Sequence, residues 1–456
     1  MTYNYKTGKL GQKDAKRFLR VASYGVSKEA IDEFAEYDVE QAIGVLFSES
    51  RPLSYDPNSN SSVNRQKWMR RNWEDSHNYI GKLSHFHQVL NAAGMDSSAR
   101  YVSAAWLSLL DAGCEWSYRT FLTHLNQSMN FGEFLNRTAA GSNEDYAREI
   151  MELHTLGENF RGTPNYNQAD VQASAKVFSG VIRSTKTVNE FGWNILGAAT
   201  SKQIKGDKQL SSFFGNKVIS QSGVWDEAEQ MFDAIVAHPN FGYFIVEKFL
   251  RFYVADEFPD SLVDHLREAF KNSGWHTREI LSELLRIEWT YQDDLLIKYM
   301  RPFELFCKAV SAFGLVDGFN LTRYEGYRRI FHKMGEDVLN NIEIFGFKPD
   351  YEIPLLSKLW ISAETLQYRQ KYTKEAVNGD GLVWLAAISD PQIVAEQAAF
   401  YVLSGEVGQN EIDSFVNVLS GGGDTSHWTN GDIDYRLQAL KDLTEYLAQT
   451  GLIQIL

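Results

Sequence analysis

Apolar residues recur at helical spacing along most of the chain. Near the start, Ala15, Phe18, Leu19 and Ala22 mark one face of a helix that stops at Gly25. Ser27 is placed to cap a second helix through Ile31, Phe34 and Ala35, and a third is expected from about Val39 to Phe47. Residues 50–64, polar and with two prolines, predict a loop. From about 65 to 135 the pattern is helical, broken near Gly94 and Gly113. Ser142 to Gly157 follows, with Ser142 as cap, Asp145 completing an approximate capping box and Gly157 supplying a left-handed stop. A helix from Gln168 to about Phe178 starts at Asn167 or Thr163. Only residues 180–224 depart from the pattern. Val181, Ile182, Val188, Phe191, Trp193 and Ile195 lie there among Gly, Ser, Thr and Lys, predicting short strands or an irregular flap.

Helices return at 225–255, 259–272 and 277–286, and Pro302 opens another, as proline does at a first helical position. Residues 318–375 mix short helices and loops, and two amphipathic helices follow near 389–404 and 432–450. No repeat of constant period interrupts this order. The fold expected is mainly α: a large multi-helix single body with a small β-containing insertion near 180–224. Residues 1–370 form the core, and 371–456 form a helical C-terminal part packed on it.

Composition narrows the function classes. The 456 residues are 44% hydrophobic, enough for a large core, and carry a formal net charge of -14. Such a balance opposes broad attraction to nucleic acid or anionic lipid, so no nucleic-acid partner is expected. A local basic groove at Lys202, Lys205, Lys208 and Lys217 stays open. No apolar run reaches the roughly 20 residues of a membrane span, and the first residues lack the apolar region of a signal peptide. Cys114 and Cys307 are the only cysteines, which suits a reducing compartment or an exported protein that does without disulfides. The 11 Trp, 22 Tyr and 28 Phe provide for packing or for stacking on sugars.

Candidate chemistry gathers on residues 142–157. At 100° per residue, Glu149 and Glu152 stand about 60° apart on one face, within reach of one divalent ion or one substrate group. Glu144, Arg148 and Glu152 form i,i+4 steps on an adjoining strip, the pattern of a salt-bridged surface. A metal site of Glu149, Glu152 and His154 requires the helix to loosen near Thr155, because a straight helix turns His154 away. His85 and His87 point about 200° apart on a helix and read as unrelated. In His238-Pro239-Asn240, Asn240 is placed to cap the next helix, and His238 is a candidate acid or base if it faces the central helix. Lys208 follows Gly206 in a turn-rich stretch, but no phosphate-binding loop, serine elbow or H-E-x-x-H surrounds any of these groups.

Several separated pieces together resemble one bacterial family, catalogued as domain of unknown function 1800. They are R-F-L-R-V-A-S-Y-G-V-S, N-E-D-Y-A-R-E-I-M-E-L-H-T-L-G, A-D-V-Q-A-S-A-K-V-F-S-G, A-H-P-N-F-G-Y-F-I-V-E-K-F-L-R-F, R-P-F-E-L, and Met334-Gly335 with Trp360 and Arg369 beyond. Their order matches the family's from about residue 14 to 370. The resemblance implies an exported bacterial protein. Where the family usually reads His-Asp-x-Gly-x-Lys, this chain has Gln203, Ile204, Lys205, Gly206, Asp207 and Lys208, so the His and Asp are missing. Two functions follow as expectations. The first is an exported or surface-associated protein acting through a protein partner or self-assembly. The alternative is a hydrolase- or lyase-like enzyme on an extracellular polymer such as polysaccharide, using Glu149, Glu152 and His154 with His238 and Lys208 assisting. Lys248 and Arg251 are read as ion-pair partners of the acidic helix.

Overall fold

The computed structural model describes residues 3–56, 61–74, 78–91, 104–137, 141–184, 187–189, 191–292, 298–315, 324–339, 356–403 and 407–450. Helices dominate it, and among the described residues strands form only three two-stranded antiparallel ladders. Two of these lie in the expected insertion: Val181–Ile182 with Gly197–Ala198, and Lys208–Gln209 with Val218–Ile219. The third, Asn159–Phe160 with Thr163–Pro164, lies where only a loop was expected.

Local chemistry starts the helices where the pattern places them. Ser27 accepts from the Ala30 amide at the head of Lys28–Phe34. Asp38 and Gln41 close a full capping box on Val39–Glu49. Asn167, not Thr163, caps Gln168–Val177 through a capping box with Asp170. The helix after the Pro52 loop begins at Ser61, so the polar stretch is shorter than expected. Breaks near Gly94 and the loops beyond 340 lie outside the described residues.

One hydrophobic cluster runs from Leu10 to Ala448 and includes both halves of the chain. Residues 391–403 dock on the first helix, Gly11–Ala22, largely through polar groups. Arg20 donates to the carbonyls of Leu403 (2.8 Å) and Val402 (3.0 Å), Lys16 donates to that of Phe400, and the Tyr401 hydroxyl donates to Asp32 (2.9 Å). These bonds satisfy carbonyls at the end of Pro391–Val402, which its own ladder cannot.

The helix Glu144–Glu152 packs against Gln168–Val177 and buries Tyr146, Ala147, Ile150 and Met151. Its cap is Asn143, not Ser142: the Asn143 side chain accepts from the Tyr146 amide at 2.9 Å. After Glu152 the backbone loosens, with amides of Leu156 and Gly157 both bonding the Met151 carbonyl. Gly157 takes φ +75°, and a Cβ there would meet the Phe244 ring at 2.9 Å, so both conformation and space require glycine. The loosened end is pinned from outside. Asn165 donates to the carbonyls of Leu156 (2.9 Å) and Gly157 (3.1 Å), and Asn240 donates to Asn165 at 2.9 Å.

Candidate functional site

The structure separates the five residues singled out in sequence. Glu149 and Glu152 stay on the outer side of Glu144–Glu152, part-buried. The Tyr166 hydroxyl donates to Glu152 at 3.1 Å, while Glu149 Oε2 is buried without a hydrogen-bond partner. Burial, then the charges of Glu152 and Asp145, push the Glu149 carboxyl up to about 7 against the pull of Arg148. Glu149 is therefore a proton-holding carboxyl near neutral pH beside a second carboxylate, the arrangement from which acid/base pairs are made. The expected i,i+4 strip instead reaches sideways: Arg148 donates to Gln168 and Gln168 donates to Glu144.

His154 does not join them. The loosened turn carries it inward, fully buried, edge-on to Phe131 at 4.9 Å and facing the Leu90 backbone. Burial pushes its pKa down to about 3, against a smaller pull from Leu90, so the ring stays neutral. The metal site expected at Glu149, Glu152 and His154 is thus not formed: among the described residues no three His, Cys, Asp or Glu side chains are grouped to hold an ion.

Lys208 is also taken up. It is buried and bonds Glu227 Oε2 at 2.6 Å, while Glu227 Oε1 accepts the Ser222 amide. This closed pair staples the insertion to Val224–Val236 and removes Lys208 from any basic groove. His238 is a peg. Its Nδ1 accepts the Asn240 amide at 3.1 Å, its ring packs on Phe214, and burial lowers its pKa against the pull of the Asn165 backbone and Asp170. Asn240 does not cap the following helix, Tyr243–Tyr253, whose first residue is preceded by Gly242. Arg267 holds the same loop by donating to the carbonyls of Phe241 (3.0 Å) and Pro239 (2.9 Å). The H-P-N motif thus locks the end of the central helix, which sequence spacing alone does not reveal.

His85 and His87 have separate surroundings, as expected. His87 Nε2 lies 3.0 Å from the Thr277 hydroxyl. His85 belongs to a buried polar network that sequence reading missed: the Tyr24 hydroxyl is 2.7 Å from its Nδ1, and Glu336 is 3.6 Å from its Nε2. Arg301 donates to Glu336 at 2.9 Å, and Glu304 lies 3.4 Å from Lys82 and 3.5 Å from Lys298. Burial alone would raise the Glu304 carboxyl, but Lys298, Lys82 and Arg301 hold it below its ordinary value. Four chain segments supply these groups, so no local spacing announces the network.

The insertion carries a second feature missed in sequence, an exposed aromatic shelf. Trp116 stacks on His124 at 4.4 Å, Phe191 on Trp193 at 4.9 Å, and Phe191 meets Trp116 at 5.5 Å, with interplanar angles of 30–34°. Phe191 is 47% and Val188 57% exposed. Asn189 builds the turn that presents them: its side chain accepts the amides of Phe191 and Trp193, and its own amide bonds the Trp193 carbonyl. A groove of about 600 Å³ opens nearby, with Arg119, His238, Arg267 and Trp275 in its walls. The two are tied across the start of Tyr118–Gln127, where the Tyr118 amide bonds the Trp275 carbonyl. No described helix is long and apolar enough to cross a membrane.

The family described as protein of unknown function, DUF1800, matches residues 17–447, and the chain belongs to it. That match runs past residue 370, through the helices of the C-terminal part. No curated protein and no solved structure matches the chain.

Proposed function

We propose that this is an exported bacterial protein that acts by binding an extracellular polysaccharide, with the aromatic shelf as its docking surface. One observation carries the reading: Trp116, Phe191 and Trp193 form a tilted, partly exposed aromatic surface on an insertion built to present it. Sugar rings offer C–H faces to aromatic planes and hydroxyls to polar neighbours. Here the Asn189 side chain lies at the backbone of both Phe191 and Trp193, a polar group beside the rings, with Val188 exposed on the same turn. A groove of about 600 Å³ beside Trp275 offers room for sugar rings as well. Export is part of the same proposal and is supported by the family resemblance alone. The test is affinity electrophoresis through gels containing neutral or acidic polysaccharides: Phe191→Ala and Trp193→Ala should each reduce a retardation shown by the wild type. Equal retardation of wild type and variants would overturn the assignment.

A second reading, a hydrolase- or lyase-like enzyme on such a polymer, is favoured by Glu149 alone, whose carboxyl titrates near neutral and whose Oε2 lacks a partner. In that reading Glu149 donates a proton and Glu152, oriented by the Tyr166 hydroxyl, faces the substrate beside it. His154 and Lys208, committed to the interior, and His238, whose Nδ1 is taken by the Asn240 amide, have no part in it. Release of reducing ends, lost in Glu149→Gln, would establish it.

A further inference from the structure

Three of the sequence pieces that carry the family resemblance, remote from one another in the chain, meet at one small cavity. Lys248 and Arg251 come from the piece that begins A-H-P-N, Arg301 from R-P-F-E-L, and Trp360 from the last piece; Lys298 joins them in the wall. Four cations therefore line a space of about 30 Å³ in a chain whose net charge is -14. A single water needs roughly 10–15 Å³ on this measure, so the space suits one tetrahedral or planar acidic headgroup and not a whole metabolite.

Among the described residues the wall holds one carboxylate, Asp256, and its oxygens are occupied by the Ser357 amide and hydroxyl. The inner cations are fixed from behind. Arg301 bonds Glu336 and lies 4.8 Å from the Trp360 ring, while Lys298 donates to the Phe252 carbonyl and faces Glu304. Lys248 and Arg251 are part-exposed at the mouth. Arg251 pairs with Glu247 on its own helix at 3.3 Å, not with the acidic Glu144–Glu152 helix, and its Nε is buried without a hydrogen-bond partner. The Arg251 guanidinium, anchored by Glu247 and with its Nε donor left over at the mouth, suits recognition of carboxylate or phosphate oxygens.

We propose that this cavity binds an acidic group, a phosphate or a carboxylate, borne by a small ligand or by the end of a larger one. It is distinct from the aromatic shelf and does not depend on it. The test is titration calorimetry of the full chain with inorganic phosphate and, separately, with acetate, at an ionic strength held constant with sodium chloride. Tryptophan fluorescence is followed in parallel, since Trp360 lines the cavity. Saturable binding of one of the two anions is expected, and the anion that binds tells phosphate from carboxylate. Arg251→Gln and Lys248→Met should each weaken it about tenfold or more, and Lys371→Gln, which removes an exposed charge on another helix, should leave it unchanged. Two variants keep the test intact if one fails to fold. Absence of saturable binding by both anions, or equal affinity in wild type and the cavity variants, would overturn the proposal.

Discussion

Replacing Glu149 with glutamine should stabilise the protein at pH 8 and leave it nearly unchanged at pH 5. The carboxyl moves from 4.5 to about 7 on folding, because burial and the neighbouring Glu152 and Asp145 oppose its charge. A group raised in the folded state holds its proton there after the unfolded chain has lost it. Stability therefore falls as pH rises from about 4.5 through about 7, and the penalty is complete above that. At about 1.36 kcal/mol per tenfold change in proton affinity the ceiling is about 3.4 kcal/mol; solvent screening at this part-exposed side chain reduces the expectation to about 1–2 kcal/mol. Glutamine keeps the shape, removes the charge and should recover that amount at pH 8. Urea denaturation followed by tryptophan fluorescence at the two pH values measures it. A variant no more stable than wild type at pH 8, or less stable, would mean that the carboxylate has a partner and the reasoning fails.

Other perturbations test the supports around the site. Lys208→Met leaves Glu227 buried without its cation and should cost about 3–5 kcal/mol, while Lys208→Met with Glu227→Gln should recover part of it in the same denaturation assay. Asn165→Ala removes the donors to Leu156 and Gly157 and should cost about 1–3 kcal/mol. Hydrogen exchange should then rise first at residues 153–157; protection unchanged there would mean the turn holds itself. Gly157→Ala forces a Cβ toward Phe244 at a φ of +75° and should lower the thermal midpoint, and a variant with an unchanged midpoint would remove the steric argument.

Much of the fold was legible because helix starts and stops are local. Ser27, Gly157 and Pro302 act within a few residues of themselves, and the apolar period shows the faces that meet the core. Misplacements were equally local in cause: Asn143 captured the cap expected of Ser142, since its carbonyl oxygen reaches the amide three residues on. The site was less legible, for two reasons. Whether a helical carboxylate or histidine is paired, buried or free depends on segments far away, as Tyr166 for Glu152 and Phe131 for His154 show. The buried network joining Tyr24, His85, Glu304 and Glu336 draws each member from a different segment, and the shelf joins Trp116 to Phe191 across 75 positions of sequence. Burial also changed the meaning of conspicuous residues. Lys208 and His238 looked like chemistry because of their neighbours in sequence, but their partners in space, Glu227 and the Asn165–Asn240 pair, make them fasteners.

The most direct measurement is the affinity of a polysaccharide retained by the wild type for the double variant Phe191→Ala/Trp193→Ala, with reducing-end release followed in the same samples. Stacking of about 1 kcal/mol per lost ring predicts affinity at least about tenfold weaker, with cooperative unfolding retained and no release by either protein. Full affinity in the double variant would contradict the account.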